Sequence, residues 1–189
     1  GYMASEIPKG ELLKRAPNFL HDRYSDGYLP AGVNPEEHTP KATVARIAAA
    51  GAVCVKLYYE EAIWMPSGAP DIALPSEQII REVVREAHGL GLTVVMHGTS
   101  AKGQEFARHT GVDVIAHGPW DWQGNDYANP EIPNAIKHNI GATGAAGMYI
   151  QPTISALQHT ASMFKPALLN DAALENVLGA EFINYLRTE

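Results

Sequence analysis

The sequence predicts an α/β fold on a parallel sheet. Three observations carry the prediction. Short apolar runs of about six residues alternate with amphipathic helical stretches, the pattern of βαβ units. Each run is preceded by a helix that ends in glycine, as at Gly51, Gly89 and Gly111. The runs read as apolar on both faces, which suits strands covered on both sides. Crossovers of this kind are right-handed. Two architectures satisfy the pattern: a small doubly wound domain, or part of a (β/α)8 TIM-type barrel.

The chain has 189 residues and reads as a single domain over 1–189, with 1–38 as a loop and helix lead-in and 39–189 as βα units. The lead-in is rich in Pro, Gly and Asp and holds one helix candidate, Glu11 to Tyr24. Thr39 and Pro40 supply an N-cap and a first-turn proline for a helix over Lys41 to Ala50, with Val44, Ile47 and Ala48 at helical spacing. A first strand follows over Ala52 to Tyr58. Ser76 caps a second helix, Glu77 to His88, whose apolar stripe is Ile79, Ile80, Val83, Val84 and Ala87. Leu92 to His97 is the second strand. A helix over Ala101 to His109 leads to the third, Val112 to His117. A looser helix over Pro130 to Asn139 precedes the fourth, Gly147 to Pro152, and a helix over Asp171 to Arg187 closes the pattern.

Composition narrows the function classes. A net charge of -7 with no basic cluster argues against a nucleic-acid surface. The longest apolar run, Ile47 to Val55, is far short of the ~20 residues that span a bilayer. Cys54 is the single cysteine, so no intramolecular disulfide forms. No signal-peptide pattern opens the chain, and the default expectation is a cytoplasmic protein.

Three successive strands end in residues able to bind an ion or a proton: Lys56, His97 and His117. Both candidate architectures place ligands at the carboxyl ends of parallel strands. A lone strand-end Lys is usually solvated, and a lone His is usually a hydrogen-bonded core residue. Three at one end of one sheet point to a shared rim. Tyr58, Tyr59 and Trp120 flank these ends, and His159 follows the fourth strand; all four are candidate substrate contacts, with packing as the competing role. His88 and His109 sit at helix ends, where the helix dipole favours them. No Gly-x-Gly-x-x-Gly or phosphate loop supports a nucleotide-binding domain.

The runs AVCVKLYYE, SEQIIREVVREAHGLGLTVVMHGTS, GVDVIAHGPWDW and MYIQPTIS resemble the central part of the metal-dependent amidohydrolase superfamily, in particular its imidazolonepropionase-like and prolidase-like members. The resemblance covers roughly Thr39 to Ser155. It implies a barrel of which this chain carries strands four to seven. It also implies C–N hydrolysis of an amide, cyclic amide or peptide by a metal-activated water. By position, Lys56 matches a strand-four lysine that is often carboxylated, and His97 and His117 match the strand-five and strand-six ligands. The implied cofactors are one or two divalent ions, zinc first, and a carbamate derived from CO2 on Lys56. The family's His-x-His pair and strand-eight Asp have no counterpart in these residues. The expected partners are therefore the substrate and either further copies of the chain or the missing barrel segments. The alternatives are a scaffold of the same fold that binds no metal and catalyses nothing, or a non-enzymatic α/β domain that binds a ligand.

Overall fold

Thr39 accepts a hydrogen bond from the Ala42 N–H at 3.3 Å, and Pro40 opens helix α1 (Pro40–Ala49) behind it. This is a computed structural model, and it describes residues 18–25, 29, 31–61, 74–119, 132–153, 179–181, 183 and 184. By contact the chain divides into two units, Gly1–Pro152 and Thr153–Glu189.

In the first unit, α1 leads to β1 (Cys54–Tyr58). Ser76 then caps α2 (Glu77–Gly89), accepting from the Ile79 N–H at 3.2 Å. The cap is itself held from the lead-in, since Asp22 accepts from the Ser76 N–H at 2.7 Å and its hydroxyl at 2.8 Å. Strand β2 (Thr93–His97) follows. Ser100 caps α3 (Ala101–Thr110), which Gly111 ends in the left-handed region at φ 81°. Strand β3 (Val114–Ala116), helix α4 (Asn134–Ala145) and strand β4 (Tyr149–Gln151) complete the order.

The four described strands are parallel and lie in chain order, β1-β2-β3-β4. A doubly wound sheet reverses its strand order at a switch point. This sheet does not reverse, so successive crossovers wind the same way and α1, α2, α3 and α4 pack side by side in sequence. That is the winding of a (β/α)8 barrel wall, here four strands of it.

Burial along the strands alternates. Val55, Leu57, Val94, Met96 and Ile115 are fully buried against Val44, Ile47, Ile79, Ile80, Val83 and Ala87 of the helices. Cys54, Lys56, Tyr58, Val95 and His97 face the other way and are half-buried. The sheet is thus sealed on one face only, which corrects the expectation of strands buried on both. Lys56 and His97 interrupt the apolar pattern on the open face. Cys54 belongs to that face too, and not to the helix-side core.

Two helix boundaries also differ from the sequence reading. Residues 18–24 of the expected lead-in helix are coil and turn, because Phe19 stacks on His38 at 3.7 Å and its carbonyl meets His38 Nδ1 at 3.1 Å. The remainder of that candidate lies outside the described residues. Helix α4 begins at Asn134, after Pro133, and runs to Ala145 through two glycines. In the second unit Gly179 has φ 74°, and a helical turn starts after it, with the Ile183 N–H bonded to the Gly179 carbonyl at 3.2 Å. Of the helix expected over Asp171 to Arg187, residues 180, 181, 183 and 184 are helical, and residues 171–178 and 185–187 lie outside the described residues.

Helix α3 sets up a testable conflict. Alanine in a helix interior is ordinarily about 1 kcal/mol better than glycine. At Gly103 a Cβ would lie 3.1 Å from Tyr59 Cδ1 and 3.2 Å from Ser100 Oγ. Overpacking costs about 1–3 kcal/mol, so crowding wins. Gly103→Ala should lower the urea midpoint; a midpoint at or above the parent's would show that Tyr59 simply moves aside.

Candidate functional site

The open face of the sheet carries its polar residues toward one end. Lys56 pairs with Val95 and Tyr58 with His97 in the β1–β2 register, so Lys56, Tyr58 and His97 share a face. His97 pairs with Ala116 across β2–β3. His117, one residue further, would by simple alternation point to the helix side. Its backbone instead turns left-handed, φ 80°, while its N–H bonds the Gln151 carbonyl at 2.8 Å. That conformation costs a non-glycine residue about 1–2 kcal/mol. The strain returns the ring to the open face, where it meets His97 edge-on with centroids 4.7 Å apart.

His97 is held on three sides. Tyr58 stacks on it at 4.3 Å with planes 9° apart, His117 meets its edge, and its Nε2 lies 2.6 Å from Glu60 Oε2. Glu60 is 6% exposed, and the buried Thr99 hydroxyl lies 3.5 Å from both its oxygens. Glu61, next in the chain, accepts from Ser100 and from Lys102.

The electrostatics follow from this packing. Burial lowers the Lys56 pKa, with the neighbouring Cys54 opposing the shift. His117 is pushed down to about 4, first by burial, then by the neighbouring His97 and Lys56 charges, with Glu60 pulling weakly the other way. His117 is thus neutral at pH 7. An unfolded chain takes up its proton near 6.5, and the folded one refuses it until about 4. Folding stability contributed by this group is therefore full above pH 6.5 and is lost as pH falls to about 4. In urea titrations of the metal-free chain, His117→Asn tolerates the backbone and does not titrate, so it should flatten that limb. Equal slopes in both proteins would remove His117 as its source.

These donors suit part of an ion's shell. Two neutral imidazoles supply nitrogen lone pairs. Lys56 supplies an oxygen only when carboxylated, because an ammonium has no acceptor; its lowered pKa favours the neutral amine that CO2 requires. Without Lys56, the described His, Cys, Asp and Glu residues form no group of three able to hold an ion.

Of the residues singled out from sequence, the structure brings Lys56, His97, His117 and Tyr58 to one rim. Tyr59 goes elsewhere. It is 3% exposed, and its ring packs on Phe106 of α3 at 4.6 Å, because successive residues leave the strand in opposite directions. Trp120 and His159 lie outside the described residues. His88, at the end of α2, bonds Asp113 at 2.9 Å, and Asp113 also accepts from the Val94 N–H at 2.7 Å, a structural clamp beneath the sheet. Glu60 was missed. The only signal for it was a carboxylate two residues beyond the strand end.

No family model and no curated protein sequence matches the chain. Solved structures do. One described as an amidohydrolase matches at 18% identity and TM-score 0.49, over 81% of this chain and 34% of its own. A Xaa-Pro dipeptidase with methionine bound in its active site matches at 22% identity and TM-score 0.46, over 72% and 32%. An ochratoxinase from A. niger matches at 18% identity and TM-score 0.46, over 100% and 39%. The chain resembles amidohydrolase and prolidase-type structures. It spans about a third of their length. These likenesses are loose, so the chemistry has to come from the rim residues themselves. Among the described residues no helix is long and apolar enough to cross a membrane.

Proposed function

We propose that the chain carries one half of a metal-dependent hydrolase site that cleaves C–N bonds of an amide, cyclic amide or peptide. One observation carries the reading. Lys56 sits mid-strand in β1, His97 ends β2 and His117 follows β3, and the two imidazoles meet with centroids 4.7 Å apart on the face that also carries Lys56. In this reading His97, His117 and carboxylated Lys56 hold a divalent ion, zinc being the first candidate. When bound, such an ion supplies Lewis acidity to a carbonyl and to water. The chain's own contribution is positional. Tyr58 and Glu60 orient His97, and the strained backbone at His117 turns its ring inward.

The 189 residues contain no His-x-His pair, and among the described residues no Asp follows β4 that could take the proton from an attacking water. The isolated chain should therefore bind zinc weakly and hydrolyse amides negligibly. Further copies of the chain, or the remaining barrel segments, would complete the wall: among the described strands β1 and β4 are each paired on one side only. The test is zinc titration of the purified chain with and without bicarbonate, alongside a panel of dipeptides and cyclic amides. Binding should strengthen with bicarbonate and lose that response in Lys56→Arg. Turnover by the chain alone that His97→Ala abolishes would show a complete site and overturn the half-site reading. A second reading, a scaffold that holds no ion, has one observation in its favour: two imidazoles and a lysine make a shell only after carboxylation. It predicts no zinc binding under any of these conditions.

A further inference from the structure

His97 has two ring nitrogens, and the structure commits one of them. Nε2 lies 2.6 Å from Glu60 Oε2, and the two side chains are only 12% and 7% exposed. A carboxylate accepts and cannot donate, so this bond requires the proton on Nε2. In a neutral imidazole the lone pair then sits on Nδ1. The ring cannot easily exchange the two, because a flip would put a carbon against the Glu60 oxygen and break the bond. Stacking on Tyr58 at 4.3 Å and the edge contact with His117 confine the ring plane further.

Glu60 also accepts from the Thr99 hydroxyl. It lies just beyond β1, buried, where a leucine would pack without desolvating a charge. Buried ion pairs are weak contributors to stability. Ligating histidines, by contrast, donate their second N–H to a carboxylate or carbonyl, which sets the tautomer and the ring orientation.

We propose that Glu60 is a positioning residue of the rim: it holds His97 as the Nε2-protonated tautomer and leaves Nδ1 as the nitrogen that binds an ion. The tautomer stands on geometry alone; the ligating role rests on the metal-dependent reading above.

The experiment separates the two. Long-range 1H–15N correlation spectra of the metal-free chain at neutral pH report which nitrogen of His97 carries the proton. The expected result is a protonated Nε2 and a bare Nδ1 in the parent chain. Glu60→Gln keeps an acceptor and should keep this tautomer; Glu60→Leu should show a mixture. Zinc affinity should fall about 10–100-fold in Glu60→Leu and by less in Glu60→Gln. A protonated Nδ1 in the parent, or an unchanged tautomer in folded Glu60→Leu, overturns the assignment. Should Glu60→Leu fail to fold, the parent spectrum and Glu60→Gln still decide it. The expected tautomer with no zinc binding in any form would overturn the ligating role and the metal-dependent reading, while the tautomer assignment stands.

Discussion

His117→Ala should remove zinc binding from the chain, lowering affinity on the order of 100-fold or more. Losing a residue that merely orients a ligand costs about 10–100-fold, and losing a ligand costs at least that much. The rim offers two imidazoles and one lysine; without His117, one imidazole and a carbamate are too few for a tetrahedral ion. The backbone gives an internal control. At φ 80° alanine keeps the left-handed strain, whereas glycine relieves about 1 kcal/mol of it. His117→Gly should therefore lose zinc as fully as His117→Ala and yet unfold at higher urea. Competition with a chromophoric chelator measures the first effect and a urea titration the second. Zinc affinity within threefold of the parent's in folded His117→Gly would remove His117 from the ligand set.

Leu57→Ala should cost about 2–5 kcal/mol, the largest stability loss expected of a single substitution here. Leu57 is fully buried in β1, against the helix layer that holds Ile47, Ile79 and Val83. Against a total stability of about 5–15 kcal/mol, this is a large fraction, and melting should fall by on the order of 10 °C. Leu57 also separates Lys56 from Tyr58, so its loss loosens the rim as well. Val53→Ala, one residue before the strand and 83% exposed, should change stability by less than about 0.5 kcal/mol. Similar urea midpoints for the two variants would mean that the core does not lie on the Leu57 side of the sheet.

Much of the wall was legible because its signals are local. Ser76 before an apolar stripe starts α2, and Gly111 after Thr110 stops α3, whatever surrounds them. The end of β2 was legible for the same reason: an imidazole side chain closing an apolar run marks a residue that the core does not need. Phe19 and His38 show the limit. Their stacking holds the lead-in as coil, and nothing within residues 18–24 announces a partner nineteen positions away.

The sequence by itself determined the order of helices and strands, the caps that bound them, and His97 at a strand end. Those depend on hydrophobic period and capping chemistry, which act within a turn or two of the chain. The structure moved Lys56 to mid-strand, because β1 continues through Leu57 and Tyr58. The tertiary structure alone decided three further things. Strand order, β1-β2-β3-β4, separated a barrel wall from a doubly wound sheet, because neighbours in a sheet are chosen by packing of the crossover helices. The positive φ at His117 put its ring beside His97, because hydrogen bonding to Gln151 on the next strand outweighs the local preference against that backbone. Glu60 found His97 across 37 residues because burial strips a carboxylate of water, and an imidazole N–H on β2 replaces part of that hydration.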